Sequence, residues 1–243
     1  MCYTATQTSK AYEYQDYYNA SMARLEDIEI MQTWYKADGF AHPKLLVLLD
    51  HDGHRQLELQ QWGLMPSWNK PFKEMLKLAK GNLNARAETI REKTSFKNSI
   101  KAKRCIIPVN SFFEYKHVGE GKEKETLPYL IHPVNQKFFN LAGIYSHYFN
   151  PETREWITSF AIVTEPANTF MADIHNRNEN DKRMPLMLSN DLISDWINPA
   201  SSPGLIDEIL QYSCDDSHLA AYRIRQDLKK AENDESVLEP VAA

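Results

Sequence analysis

Strand-forming segments crowd the middle of this 243-residue chain, and they alternate with turns rather than with long helices. Two of those turns, "HDGH" (His51–His54) and "NPET" (Asn150–Thr153), each lie between apolar runs, which is how antiparallel hairpins read. No regular β-α-β alternation appears, which argues against a doubly wound parallel sheet. These observations predict an α+β fold: a single domain with mainly antiparallel, barrel-like β-structure and peripheral helices. The domain is expected over residues 1–235, with 236–243 as a frayed, charged tail.

The elements follow in order. Ser9–Trp34, rich in Tyr, Met and acidic residues without internal Gly or Pro, predicts one or two helices. "KLLVLLD" and "RQLELQQWGL" are strands around the first turn. "NKPFKEMLKLAK" is an amphipathic helix entered through Pro71, and "AETIREKTSFKNSIKAKR" a second, basic helix. "CIIPVNSFFEYKH" reads as one strand, and after the loop "VGEGKEK" the segment "PYLIHP" returns as another. "FFNLAGIYSHYF" and "WITSFAIVT" form the second hairpin. "NTFMADIH" is a brief helix, "NRNENDK" a polar loop and "PLMLS" a short strand. Helices are expected over Asp191–Asn198 and Gly204–Tyr212, and a last strand near His218–Arg225.

Composition narrows the function. No apolar run approaches the roughly 20 residues of a membrane helix, and no secretory signal is visible. Three scattered cysteines, Cys2, Cys105 and Cys214, do not form a disulfide framework, so the reducing cytoplasm is the expected compartment. Net charge is −5, but Lys70–Arg104 holds eleven Lys or Arg against Glu74, Glu88 and Glu92. A basic stripe on an acidic chain suits an anionic partner, or simply solvated helices. No CxxC, HExxH, phosphate loop or dinucleotide fingerprint occurs, so neither metal nor cofactor is expected.

Several residues could carry chemistry. Cys2 follows the first methionine. Once that residue is trimmed, it presents an amine and a thiol on adjacent carbons, able to close a thiazolidine on an aldehyde or to attack an amide. In "NARAET", Asn84 and Arg86 share one side of an extended segment, and Arg86 offers a planar fork for phosphate or carboxylate. Glu114, between Phe113 and Tyr115, is either a desolvated proton shuttle or a strand-edge carboxylate facing water. His175 ends the brief helix and suits acid–base work or a capping role. Trp68 stands on the loop leading to the basic helices, placed to stack on a base or to cover the core.

Cys2, "WGLMPSW", "NARAET", "RCIIPVNSFFEYKH", "FFNLAGIYS", "FAIVTEPAN" and "IHN…KRMPLML", taken together and in order, resemble the SOS-response-associated peptidase family of abasic-site processing proteins. The resemblance covers nearly the whole chain. It implies that Cys2 traps the ring-opened aldehyde of an abasic site in single-stranded DNA as a thiazolidine, with lyase-type Schiff-base chemistry and autopeptidase activity. It implies that Asn84 lines the opened sugar, Glu114 handles protons, and His175 assists ring opening. Arg86 and either Arg183 or Arg177 would contact phosphate, with Arg183 favoured because "RMP" keeps the spacing to proline, and Trp68 would face DNA. The expected state is a monomer, bound to DNA in the nucleoid. Three features depart from the family pattern: Tyr3 and Thr4 replace the usual Gly-Arg, "NRNEND" separates His175 from Arg183, and "ADGFAHP" replaces an Asn-Ala-Pro stretch. Two other readings remain open at this point: a cysteine peptidase using Cys2 and His175, and a non-catalytic single-strand binder.

Overall fold

A computed structural model describes residues 2–119 and 124–241. It contains two sheets. The smaller runs β14 (Leu219–Arg223), β9 (Glu125–Pro133), β8 (Ser111–Val118), β1 (Thr4–Gln7) and β3 (Trp34–Asp38). The larger runs β12 (Arg183–Pro185), β11 (Glu155–Pro166), β10 (Phe139–Asn150), β7 (Arg104–Val109), β4 (Lys44–His51), β5 (His54–Trp62) and β2 (Ser21–Met22). On it, β13 (Met187–Leu188) joins β10 and β6 (Asn84–Arg86) joins β11. A parallel contact between β5 and β11, Ser159 to Gln61 and Phe160 to Trp62, closes β11-β10-β7-β4-β5 into a ring. The α+β, barrel-like architecture expected from the sequence is what forms.

The run "LLVLL" is apolar throughout because both faces of β4 are buried. Leu46 and Leu48 meet the helical layer, which includes α1 (Ala11–Tyr18), α6 (Ile193–Ile197) and α7 (Pro203–Ile209). Leu45, Val47 and Leu49 face a second cluster shared with Ala5, Ala37, Phe112 and Ile131 of the smaller sheet. The fold also contains α2 (Glu26–Ile30), α3 (Phe72–Gly81), α4 (Ser99–Ala102) and α5 (Thr169–Ile174). Among the described residues, no helix is long and apolar enough to cross a membrane.

The two hairpins form as expected, with His51 opposite His54 and Asn150 opposite Glu155. Helix α3 starts after Pro71, buries Met75 and Ala79, and exposes Lys73, Lys77 and Lys80. Four expectations change. "CIIPVNSFFEYKH" is two strands in different sheets: β7 ends and β8 begins at Asn110, whose Oδ1 accepts from Thr8 N at 2.8 Å. The second basic helix is absent beyond the short α4. Ile90 and Phe96 are both buried, and turns carry the chain between them. Two strands, β1 and β3, arise where the sequence showed no strand signal. The tail is held as far as residue 241: Val237 is fully buried and Ile224 bridges Pro240. Part of the expected loop "VGEGKEK", residues 120–123, lies outside the described residues.

The basic stripe also loses a member. Arg104 is 1 % exposed and donates to the carbonyls of Trp196 (2.7 Å), Ile100 (2.9 Å), Lys101 (2.6 Å) and Asn198. It satisfies the open C-terminal carbonyls of α4 and α6, which a buried helix end requires. Burial pushes its pKa down to about 10, so it stays charged at neutral pH. Arg104→Met keeps the volume but orphans these acceptors, and should cost about 2–4 kcal/mol in urea unfolding. A loss below roughly 0.5 kcal/mol would contradict the bracing role.

Candidate active site

The site is built on β1. This strand inserts between β8 and β3, with Ala5 opposite both Phe112 and Ala37. Continuing the antiparallel register from Ala5 carries the chain back past Glu114 to Cys2. Two buried polar side chains hold the strand in place. Gln7 Nε2 donates to the carbonyls of Leu46 and Pro108, each at 2.8 Å, while its Oε1 accepts from Leu46 N at 2.8 Å. Thr6 Oγ1 lies 2.8 Å from Ser111 Oγ.

Cys2 is fully buried. Desolvation first, and the nearby Glu114 carboxylate second, push its thiol up to about 12. Glu114 is 5 % exposed, and burial raises its pKa, so the desolvated alternative holds and the strand-edge one does not. Asn84, on β6, donates from Nδ2 to the Cys2 carbonyl at 2.9 Å. Its Oδ1 is buried with no hydrogen-bond partner among the described residues. β6 reaches this position by pairing in parallel with β11, Asn84 opposite Ile162 and Arg86 opposite Thr164.

His175 caps the C-terminal end of α5. The Arg183 amide donates to its Nδ1 at 3.1 Å, which fixes the neutral ring as the Nε2–H tautomer. Burial, above all, drives its pKa down to about 4. α5 is tied to the strand that carries Glu114. Asn176 accepts from His117 N at 2.7 Å and donates to His117 O at 2.9 Å, and Lys116 pairs with Asp173 at 2.5 Å. The Asn176 amide thus acts like one more strand residue beside β8. This clamp had no sequence signal, because its two partners are 59 residues apart.

The phosphate candidates divide. Arg86 is exposed and paired to Asp181 at 2.5 Å. Arg183 is 3 % exposed: its guanidinium makes a two-point pair with Glu88 and donates to the Thr164 carbonyl at 2.7 Å. That side chain is committed to the interior, whereas Arg177 is exposed. Spacing to proline favoured Arg183, but β12 turns its side chain inward. Trp68 stands apart, half-buried on the approach to α3, with the Lys70 ammonium 6.0 Å from its ring. Tyr3, given no role from the sequence, is half-buried and packs on exposed Phe40 with ring centroids 5.1 Å apart. Among the described residues, no group of three His, Cys, Asp or Glu could hold a metal.

The smaller sheet buries the Cys2 thiol near the Asn84 amide and the Glu114 carboxyl, with the His175 imidazole at the end of the helix tied to β8. The chain belongs to the SOS response associated peptidase (SRAP) family, whose family model matches residues 1–231. It is 35% identical over 182 residues to the abasic site processing protein YoqW of Bacillus subtilis, covering 74% of both chains. With YedK, an abasic site processing protein of Escherichia coli, it shares 30% over 172 residues, 70% of this chain and 68% of the other. A crystal structure of a protein from Bacteroides thetaiotaomicron superimposes with a TM-score of 0.89 at 30% identity, covering 99% of this chain and 100% of that one.

The His175 geometry has a measurable consequence. Its titration, followed by 15N NMR, should have a midpoint near 4 instead of the usual 6.5, and show the Nε2–H tautomer above it. Because the folded value lies below the unfolded one, its stabilising contribution is present above 6.5 and fades as pH falls through about 4. Asn176→Ala, by releasing the clamp, should move the midpoint back toward 6.5. An ordinary midpoint in the unaltered protein would contradict the buried, tautomer-fixed ring.

Proposed function

We propose that this protein captures abasic sites in single-stranded DNA by forming a thiazolidine at Cys2. The observation that carries the reading is the convergence of Asn84, Glu114 and Cys2: an amide bonded to the Cys2 carbonyl and a buried carboxyl close enough to raise its thiol. The names of the related proteins supply the substrate class.

Trimming the preceding methionine gives Cys2 a free α-amine with an ordinary pKa of about 7.7–8.0. That amine attacks the aldehyde carbon of the ring-opened lesion. Glu114 takes a proton from the attacking nitrogen and returns it to the departing hydroxyl, so one water leaves and an imine remains. The thiol sulfur then adds to the imine carbon while its proton moves to the nitrogen, closing the five-membered ring. A carboxyl whose pKa burial has raised suits this two-way transfer, since it gives up its proton less readily than an exposed one. His175, neutral with a proton on Nε2, is equipped to donate a hydrogen bond to the sugar ring oxygen as the ring opens, the C1 hydroxyl supplying the proton that this oxygen gains. The Asn84 Oδ1, without a hydrogen-bond partner among the described residues, is available to a hydroxyl of the opened sugar.

An abasic site has no base to read, so recognition rests on phosphates and on stacking of neighbours. Exposed Lys73, Lys77 and Lys80, with Arg86 and Arg177, supply the charge, and Trp68 a stacking face. Arg183 acts from within, holding Glu88 and, through its amide, His175. We assign the protein a monomeric, nucleoid-associated role in the cytoplasm.

On a denaturing gel, the trimmed protein should form an adduct with abasic single-stranded DNA, and Cys2→Ala should form none. Glu114→Gln should slow formation by about 10²–10⁴-fold. An equally durable Cys2→Ala adduct would sink the proposal. Asp181 occupies Arg86 where a phosphate would sit. Asp181→Asn should therefore tighten DNA binding by up to about fivefold, the worth of an exposed pair, and weakened binding would contradict this.

A further inference from the structure

A second cleft, of about 700 Å³, is lined by Glu88, Arg91, Glu92, Glu165, Asp207 and Ser213. None of Cys2, Asn84, Glu114 or His175 borders it. Its charge is unbalanced. Arg91 pairs with Asp207 at 2.6 Å, and Arg183 pairs with Glu88. Among the described residues, Glu92 and Glu165 have no cationic partner within salt-bridge distance, so two carboxyl groups are left in excess.

Glu165 is the unusual one. It lies near the end of β11, is 4 % exposed, and its Oε1 has no hydrogen-bond partner among the described residues. Ser213 bonds its carboxyl. A buried carboxyl oxygen without a donor is costly, and a wall of the cleft is where a donor could arrive. The remaining walls include Ala167 and Leu210, apolar surface of the kind that covers a methylene stem.

We propose that this cleft binds an alkyl ammonium or guanidinium group, its head on Glu165 and its stem along Ala167 and Leu210. Two sources share this chemistry: a free polyamine, and a lysine or arginine side chain of a partner polypeptide.

Binding should move a proton. The groups facing Glu165 are Ser213, Cys214 and Tyr212 on one turn, Arg183 on β12, and Glu88. Desolvation outweighs the attraction of Arg183 and raises Glu165 to about 8, so it is largely protonated at neutral pH. An arriving cation stabilises the carboxylate, and the displaced proton passes to the buffer.

The test is titration calorimetry of the full chain with putrescine, with agmatine and with a capped tripeptide carrying one lysine, each in buffers of different ionisation enthalpy. Saturable binding with proton release at pH 7, fading by about pH 9, is expected for at least one probe. The probe that binds most tightly identifies the source. Glu165→Gln should weaken binding at least about tenfold and abolish proton release, while crosslinking to abasic DNA proceeds at the unaltered rate. Glu92→Gln, a surface change that leaves the core alone, should weaken binding severalfold without ending proton release. Absence of saturable binding by all three probes at millimolar concentration would overturn the proposal. So would unchanged affinity in both variants.

Discussion

The architecture of the candidate site depends on one buried amide. Gln7 makes three hydrogen bonds to backbone groups of Leu46 and Pro108, all from the interior. Leu46 belongs to β4 and Pro108 to β7, both in the larger sheet, while Gln7 itself ends β1 in the smaller one. A fully satisfied polar group at such a junction is specific in a way that apolar contact is not, because any shift leaves donors and acceptors orphaned. It fixes where the N-terminal strand lies, and therefore where Cys2 and Glu114 meet.

Desolvation then sets the electrostatics. It raises Cys2 and Glu114 and lowers His175, in each case as the largest cause. All three shifts favour the uncharged form of the group concerned: the Cys2 thiol, the Glu114 carboxyl and the His175 imidazole. The charged groups sit further out, Arg86 with Asp181 at the surface and Arg183 with Glu88 behind His175. The loop between His175 and Arg183 contributes Asn176 to the clamp and Asp181 to the Arg86 pair, so it belongs to the site's framework.

Much of this was legible in the sequence where local chemistry decides. The hairpin turns, the Pro71 helix start and the continuous apolar run of β4 each carry their own signal. The order of motifs brought Cys2, Asn84 and Glu114 to attention before any geometry was known. What stayed hidden depends on distant partners. β1 and β3 are short, and become strands by pairing with each other and, for β1, with β8. The division of "CIIPVNSFFEYKH" at Asn110 follows from a hydrogen bond to Thr8, 102 residues away. Arg104 and Arg183 read as surface cations because composition cannot distinguish a solvated guanidinium from one enclosed by carbonyls. Ile90 and Phe96 read as part of a basic helix, yet the chain buries both through turns.

The central claim is that the N-terminal aminothiol, held beside Glu114 and Asn84, closes on an aldehyde. Mass spectrometry of the N-terminal peptide recovered from the DNA adduct tests this directly. The account predicts a peptide beginning at Cys2, heavier by the opened lesion less one water, whose mass does not change on borohydride treatment because the imine has already closed into a thiazolidine. An adduct peptide that retains Met1, carries the lesion on a lysine, or gains two hydrogens on reduction would contradict it.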